Sequence, residues 1–245
     1  MTSVVSKNML SNNLKRLLKD VRNIMKNPLT NHGIHYIHDN NDCTVGYALI
    51  IGPQETPYKN GFYFFKFDFP PAYPYEPPKV NYLTNGENVR FNPNLYRNGK
   101  VCLSVLNTWK GEGWTSCQNI SSVLLTLVSH VFCKNPILNE PGVTKTHPSY
   151  KSYHEILNWA NYKVAFYDVI NKRSLPTSNY WNTFYVFIKE YITKNSKKIV
   201  DDLKILENAS PPCWVKSGIY NMRNEINYTD LKLKIESLLI EQKLI

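Results

Sequence analysis

Apolar side chains recur at Leu14, Leu17, Leu18, Val21, Ile24 and Met25, the 3.6-residue spacing of an amphipathic helix, and Pro28 ends the pattern. Lys15, Lys19, Arg22 and Lys26 fall at i, i+4, i+7 and i+11 on the opposite side, so they form one basic stripe with Arg16 beside it. From Gly33 to Val80 the pattern changes to runs of Ile, Tyr, Phe and Val, broken by DNND, Gly52-Pro53 and Asn60-Gly61. Such runs between turn signals predict an antiparallel meander. Within FDFPPAYPYEPPKV, Phe67 to Val80, the prolines cannot sit in a central strand or a helix, so the stretch predicts a rigid surface loop.

Ile120, Val123, Leu124, Leu127, Val128 and Val131 then mark a helix with a broad apolar face that must pack on the sheet. Another helical pattern covers Tyr150 to Ile170. After KRSLPTS, Lys172 to Ser178, the aromatic block YWNTFYVFIKEYI fits a helix, and a last amphipathic segment begins near Thr229. The turn-rich PPCWVKSG interrupts the two. Tyr180, Trp181, Phe184, Tyr185 and Phe187 are too apolar for a solvated tail, so this part is expected to dock on what precedes it.

At 245 residues and 42% hydrophobic, the chain can build one sizeable core, or a core with a smaller appendix. No apolar run approaches the roughly 18 residues of a membrane span, and the first residues lack the apolar stretch of a secretory signal. A cytoplasmic or nuclear protein that is not secreted and not bound to a membrane is expected. Its net charge of +10 is spread along the chain, with no RNP-type aromatic motif, zinc-finger spacing or Gly-Arg tract, so nucleic acid is not the expected partner. Cys43, Cys102, Cys117, Cys133 and Cys213 are odd in number and form no C-x-x-C pair, which predicts free thiols rather than a disulfide framework or a zinc site. His32, His35 and His38 alternate along a strand, so His35 faces away from the other two and no metal cluster is expected.

Cys102 lies between Val101 and Leu103, a setting typical of a buried thiol. The stretch before it, RFNPNLYRNGK, contains Pro93 and the Asn98-Gly99 turn and reads as a loop that presents the cysteine at a surface. A nucleophilic cysteine needs thiolate character and donors for the oxyanion formed at an attacked carbonyl; Asn94 supplies an amide. A cysteine protease also needs a histidine base, for which His130, His147 and His154 are the candidates, without any local protease signature around Cys102. Thioester exchange asks for less, because thiols leave readily and the carbonyl arrives activated.

The series TPYKNGFYFF, FPPAYPYEPPKV, FNPNLYRNGKVCLSVL, WTSCQNISSVLL and NPILNEPG resembles the ubiquitin-conjugating enzyme core, in order and spacing, over about residues 10 to 170. The phrases RFNPNLYRNGKVCLS and LSVLNTWKGEG are similar to a branch of large ubiquitin-conjugating enzymes that includes the Z-type carrier. The resemblance implies an α+β fold: an N-terminal helix, a four-stranded antiparallel meander and C-terminal helices, here with a helical C-terminal extension. The corresponding division is a tail over 1–9, the core over 10–170 and the extension over 171–245.

The resemblance also implies that Cys102 accepts ubiquitin or a ubiquitin-like modifier from an activating enzyme as a thioester, then passes it to a substrate lysine or a ligase cysteine. Asn94 matches the asparagine of the family's His-Pro-Asn motif, and Asn92 stands in place of its histidine. The gate motif NPxDP reads NPILNEP here, with Glu140 the better match for the gate residue and Asn139 the alternative. Lys15, Arg16 and Lys19 match the helix that docks the activating enzyme. Tyr75 and the segment Thr115-Ser116-Cys117 match the ligase-facing surface, where the last three replace Ser-Pro-Ala. No cofactor is implied for the chain itself, since ATP is consumed by the activating enzyme. The competing expectation is a catalytically silent adaptor of the same fold that binds ubiquitin or a ligase; retention of Cys102 and Asn94 argues for the transferase.

Overall fold

A computed structural model describes residues 2–171 and 180–244, with side chains from Asn12 onward; KRSLPTS therefore lies outside the described residues. Helix α1 spans Thr2–Lys26, beginning ahead of the core start expected at residue 10. Leu17 and Ile24 are buried and Val21 packs against the core, whereas Leu14 and Met25, counted above on the same face, are exposed. They lie at the margins of the stripe, beyond the arc that meets the sheet. Lys15, Lys19, Arg22 and Lys26 all face solvent.

Strands β1 (Ile34–His38), β2 (Val45–Ile51), β3 (Phe62–Asp68) and β4 (Lys79–Tyr82) form the expected antiparallel meander in the order β1-β2-β3-β4. β3 is apolar on both faces because both faces are covered. Tyr63 and Phe65 meet Phe132, while Phe62 meets Phe166 and Tyr191, and Phe64 meets Trp181 and Phe184. Each such aromatic contributes on the order of 1.5–3 kcal/mol through burial.

Helix α2 (Ile120–Thr126) starts at a capping box in which Asn119 accepts from Ser122 N, and it widens into a π-helical stretch through Val131. Ile120, Val123, Leu124, Leu127 and Val131 are buried, as the spacing predicted. Helix α3 (Tyr150–Ala160) continues as a π-helical stretch, Asn161–Asp168.

The extension differs from an all-helical one. Helix α4 (Trp181–Ala209) and helix α5 (Tyr228–Glu241) are separated by a hairpin of β5 (Cys213–Ser217) and β6 (Met222–Ile226), which packs against α3. Helix α4 docks on the sheet through its aromatic face: beyond the contacts with Phe64, Tyr180 packs on Tyr47 and Phe187 stacks on His35 at 4.2 Å. Tyr191 Oη donates to Asn60 Oδ1 at 2.8 Å, and Lys59 pairs with Asp202 at 2.9 Å. Among the described residues no helix is long and apolar enough to cross a membrane.

Candidate functional site

The chain leaves β4 through an exposed turn and runs back along it, which places the asparagine loop at the sheet edge. Tyr82 N donates to Gly99 O at 2.7 Å and Lys100 bridges Asn81. Gly99 sits at φ +88°, where a Cβ would lie 3.0 Å from Tyr82 O, so the Asn98-Gly99 turn needs its glycine. Three residues on comes Cys102, which exchanges two hydrogen bonds with Asn94: Cys102 N to Asn94 O at 2.8 Å, and Asn94 Nδ2 to Cys102 O at 2.7 Å.

Asn92, 0% exposed, ties this loop to the core. Its Nδ2 donates to Val131 O at 2.8 Å and to Tyr58 Oη at 3.1 Å, and its Oδ1 accepts from Asn94 N at 2.8 Å. Tyr58 Oη in turn donates to Phe91 O at 2.7 Å. Burial drives the Tyr58 phenol well above its ordinary pKa, so it stays a neutral donor. An asparagine in this position therefore supplies bonds that fasten the loop to the core.

Asn139 Nδ2 bridges Asn94 Oδ1 and His130 O, both at 3.0 Å. Of the two gate candidates, Asn139 thus steadies the Asn94 amide. Glu140, half-buried, turns its carboxylate to the hydroxyl of Tyr220 in the hairpin. The three histidines considered as bases are placed otherwise. His130 is exposed, His147 Nδ1 accepts from Ser149 N at 3.1 Å, and His154 Nδ1 lies 2.7 Å from Tyr150 O.

Cys102 itself is 2% exposed. The loop was expected to present it, but the residue is enclosed along with Val101 and Leu103, because the two bonds to Asn94 draw it in and Thr108 Oγ1 ties Val101 O to Leu103 N across it. All five cysteines are free, with Cys43, Cys117 and Cys213 exposed. Among the described residues there is no group of three or more His, Cys, Asp or Glu able to hold a metal ion.

The two partner surfaces expected from the sequence meet at Arg16. Its Nε donates to both Asp20 oxygens, at 3.1 and 2.9 Å, its Nη1 to Ser116 O at 2.8 Å and its Nη2 to Gln118 O at 2.9 Å. Arg16 is therefore a strut between α1 and the loop before α2, while Lys15 and Lys19 remain exposed. Tyr73 Oη donates to Asp20 at 2.7 Å and Trp114 Nε1 donates to Pro74 O at 2.6 Å, which joins the proline loop to the same strut. Tyr75, 67% exposed, and Ser116 and Cys117, both exposed, project from these two joined loops.

Sequence reasoning missed three residues around the site. Arg90 Nε donates to Asn92 O at 3.0 Å and its Nη2 to Pro93 O at 2.7 Å, so it fastens the loop from outside. Arg97 Nη2 donates to Tyr220 O at 2.6 Å, and Tyr220 reaches Glu140. Arg90 opens the quoted loop phrase and was open to notice; nothing local marks Tyr220, which lies 80 residues from Glu140.

The family profile described as "Ubiquitin-conjugating enzyme" matches residues 16–158. Ubiquitin-conjugating enzyme E2 Z of Danio rerio is 42% identical over 179 residues, covering 72% of this chain and 54% of that protein. The Homo sapiens protein of the same name is 46% identical over 160 residues, 64% of this chain and 44% of that one. Probable ubiquitin-conjugating enzyme protein 17 of Caenorhabditis elegans is 42% identical over 139 residues, 54% of this chain and 19% of that one. The chain thus spans about half the length of the E2 Z relatives it matches.

Proposed function

Because this chain belongs to the ubiquitin-conjugating enzyme family, we propose that it carries ubiquitin or a ubiquitin-like modifier as a thioester on Cys102 and transfers it to lysines of protein substrates, with a ubiquitin ligase choosing the substrate. The observation that carries the reading is the paired hydrogen bonding of Asn94 with Cys102, held from below by Asn92 and from the side by Asn139. These bonds hold the Asn94 amide against the Cys102 backbone, which supports the reading of Asn94 as the donor next to the reacting cysteine.

In charging, the Cys102 thiolate attacks the carbonyl carbon of a modifier held as a thioester on the activating enzyme. The new C–S bond forms, the old one breaks, and the activating enzyme leaves as thiolate. In discharge a lysine nitrogen attacks the Cys102 thioester, an amide forms, the Cys102 thiolate leaves and the amine gives up a proton. Asn94 spends one Nδ2 hydrogen on Cys102 O, and the second is the donor for the oxyanion of either tetrahedral intermediate. A lysine with an ordinary pKa near 10.4 is protonated at neutral pH, so its proton must be taken or oriented, and Glu140 is the carboxylate for that task. The enclosure of Cys102 adds a requirement: the lip formed by residues 101–108 must open for either attack.

Lys15 and Lys19 dock the activating enzyme, with Arg16 shaping the surface behind them. Tyr75, Ser116 and Cys117 face the ligase. Residues 10–170 act as the core, with 171–245 as its extension, and the protein works in the cytoplasm or nucleus. No cofactor of its own enters these steps, and ATP is spent on the activating enzyme.

One observation favours a second reading, a UBC-like adaptor without thioester chemistry: the 2% exposure of Cys102. Incubation with activating enzyme, ATP and a panel of modifiers separates the two. The transferase gains the mass of one modifier, lost again on adding thiol; the adaptor gains none.

A further inference from the structure

The turn between β5 and β6 holds Tyr220 at φ 60°, ψ 10° and Asn221 at φ 48°, two consecutive side-chain-bearing residues in the left-handed region that L residues rarely adopt. The tight hairpin turn requires this conformation, and it fixes where the Tyr220 side chain is carried. The contacts of Tyr220 converge on the Cys102 loop. Its hydroxyl donates to Glu140, its carbonyl accepts from Arg97 Nη2 at 2.6 Å, and its ring lies 5.0 Å from the Arg90 guanidinium. Arg90 also lies over Tyr96 at 3.5 Å, so the guanidinium that fastens Asn92 O and Pro93 O is capped by two aromatic rings.

Further bonds pin the hairpin to the same side of the core. Arg90 N donates to Met222 Sδ at 3.3 Å, Ile219 N donates to Ser149 Oγ at 3.2 Å and Asn224 Nδ2 donates to Glu87 O at 2.9 Å. The extension therefore reaches both Glu140, the neighbour of Asn139, and the arginine that holds the asparagine loop. We propose that Tyr220 is a positioning residue for discharge, fixing the carboxylate of Glu140, which directly follows the Asn139 that bonds Asn94, so that the C-terminal hairpin is part of the transfer site.

The chemistry fits the part. Burial, and then the bond to Glu140, push the Tyr220 phenol far above its ordinary pKa, so across the working range it remains a neutral donor to the carboxylate. A carboxylate free to rotate meets an incoming amine in many orientations, whereas one held by a phenol on a fixed turn meets it in one. Tyr220 touches neither thioester nor amine and acts through Glu140.

The inference rests on the thioester reading of Cys102 and is tested on the full chain, preloaded with modifier and purified, in single-turnover discharge to free lysine. Tyr220→Phe keeps the ring over Arg90 and removes only the hydroxyl. The expected result is a limiting rate at saturating lysine about tenfold lower, with the half-saturating lysine concentration unchanged. Glu140→Gln should show a similar loss, and the double variant should lose no more than Glu140→Gln alone, since both changes act on one contact. Thermal midpoints accompany each variant, and Glu140→Gln approaches the same contact from the core if Tyr220→Phe lowers stability. Wild-type discharge in Tyr220→Phe, or a loss that multiplies fully with that of Glu140→Gln, overturns the inference while leaving the thioester in place. A wild-type chain that takes up no modifier overturns both.

Discussion

Asn94 and Cys102 face each other across eight residues of loop and exchange two hydrogen bonds, one from the Cys102 backbone N–H and one from the Asn94 side chain, at 2.8 and 2.7 Å. The side-chain bond separates two duties. On the proposed thioester reading, Asn94→Ala removes the donor assigned to the oxyanion and one of the two bonds, while Asn92 continues to hold the loop from below. We expect Asn94→Ala to accept the modifier and to release it to lysine about 100-fold more slowly. Asn92→Ala leaves Asn94 N, Val131 O and Tyr58 Oη short of a partner inside the core and should cost about 2–3 kcal/mol of stability. Urea melts of the two variants, set beside their discharge rates, distinguish a chemical donor from a scaffold.

Thiol accessibility gives a second expectation. Cys43, Cys117 and Cys213 are exposed, Cys133 is half-buried with its pKa raised by burial, and Cys102 is 2% exposed. A maleimide pulse on native protein should mark the three exposed cysteines first and Cys102 with a lag governed by opening of residues 101–108. Peptide mass mapping against time reads the order directly, and prompt labelling of Cys102 would contradict the enclosed site.

Arg16 and its lysine neighbours should part company under mutation. Lys15 and Lys19 are exposed, so reversing both to Glu should slow charging by about tenfold at low salt, less so as salt rises, and leave the fold intact. Arg16→Ala removes the strut to Ser116 O and Gln118 O and should lower the thermal midpoint as well. Charging kinetics across a salt series, with melting curves for each variant, make the comparison. Equal charging by wild type and the double reversal would remove the docking role.

Much of this architecture was legible beforehand. The alternation of Ile, Tyr and Phe marked the meander, the spacing from Ile120 to Val131 marked α2, and the aromatic block marked α4 as a docked helix. The hairpin in the extension was not, although the alternating burial of MRNEI has the period of a strand. Its partner CWVKS is mostly exposed, and the turn between them relies on Tyr220 and Asn221 at positive φ instead of an Asn-Gly signal. The asparagine loop could be placed from its own residues, whereas the enclosure of Cys102 depends on Thr108 and the links to Tyr220 on residues distant in sequence, which no local pattern encodes.

Docking of α4 on β1 carries a pH dependence. His35, stacked on Phe187, is held below its ordinary pKa of 6.5 by burial, against an opposing effect of Glu190, and burial likewise lowers His38 and His154. A depressed folded-state pKa means the unfolded chain binds the proton more readily, so the stabilisation is complete above 6.5 and is lost as pH falls from there through the folded-state values. Thermal midpoints should therefore drop as pH falls below about 6.5, and His35→Phe should flatten the curve while keeping the stack on Phe187. A pH profile unchanged by His35→Phe would remove His35 from the acid response.

On the proposed reading Cys102 alone carries the modifier, although all four other cysteines are more exposed. This is tested most directly by intact-mass analysis of wild type, Cys102→Ser and Cys102→Ala after incubation with activating enzyme, ATP and ubiquitin or a ubiquitin-like modifier. Wild type should gain a thiol-labile adduct, Cys102→Ser a slower-forming adduct resistant to thiol, and Cys102→Ala none. A thiol-labile adduct that persists in Cys102→Ala, or wild type that gains no mass with any modifier, would contradict it.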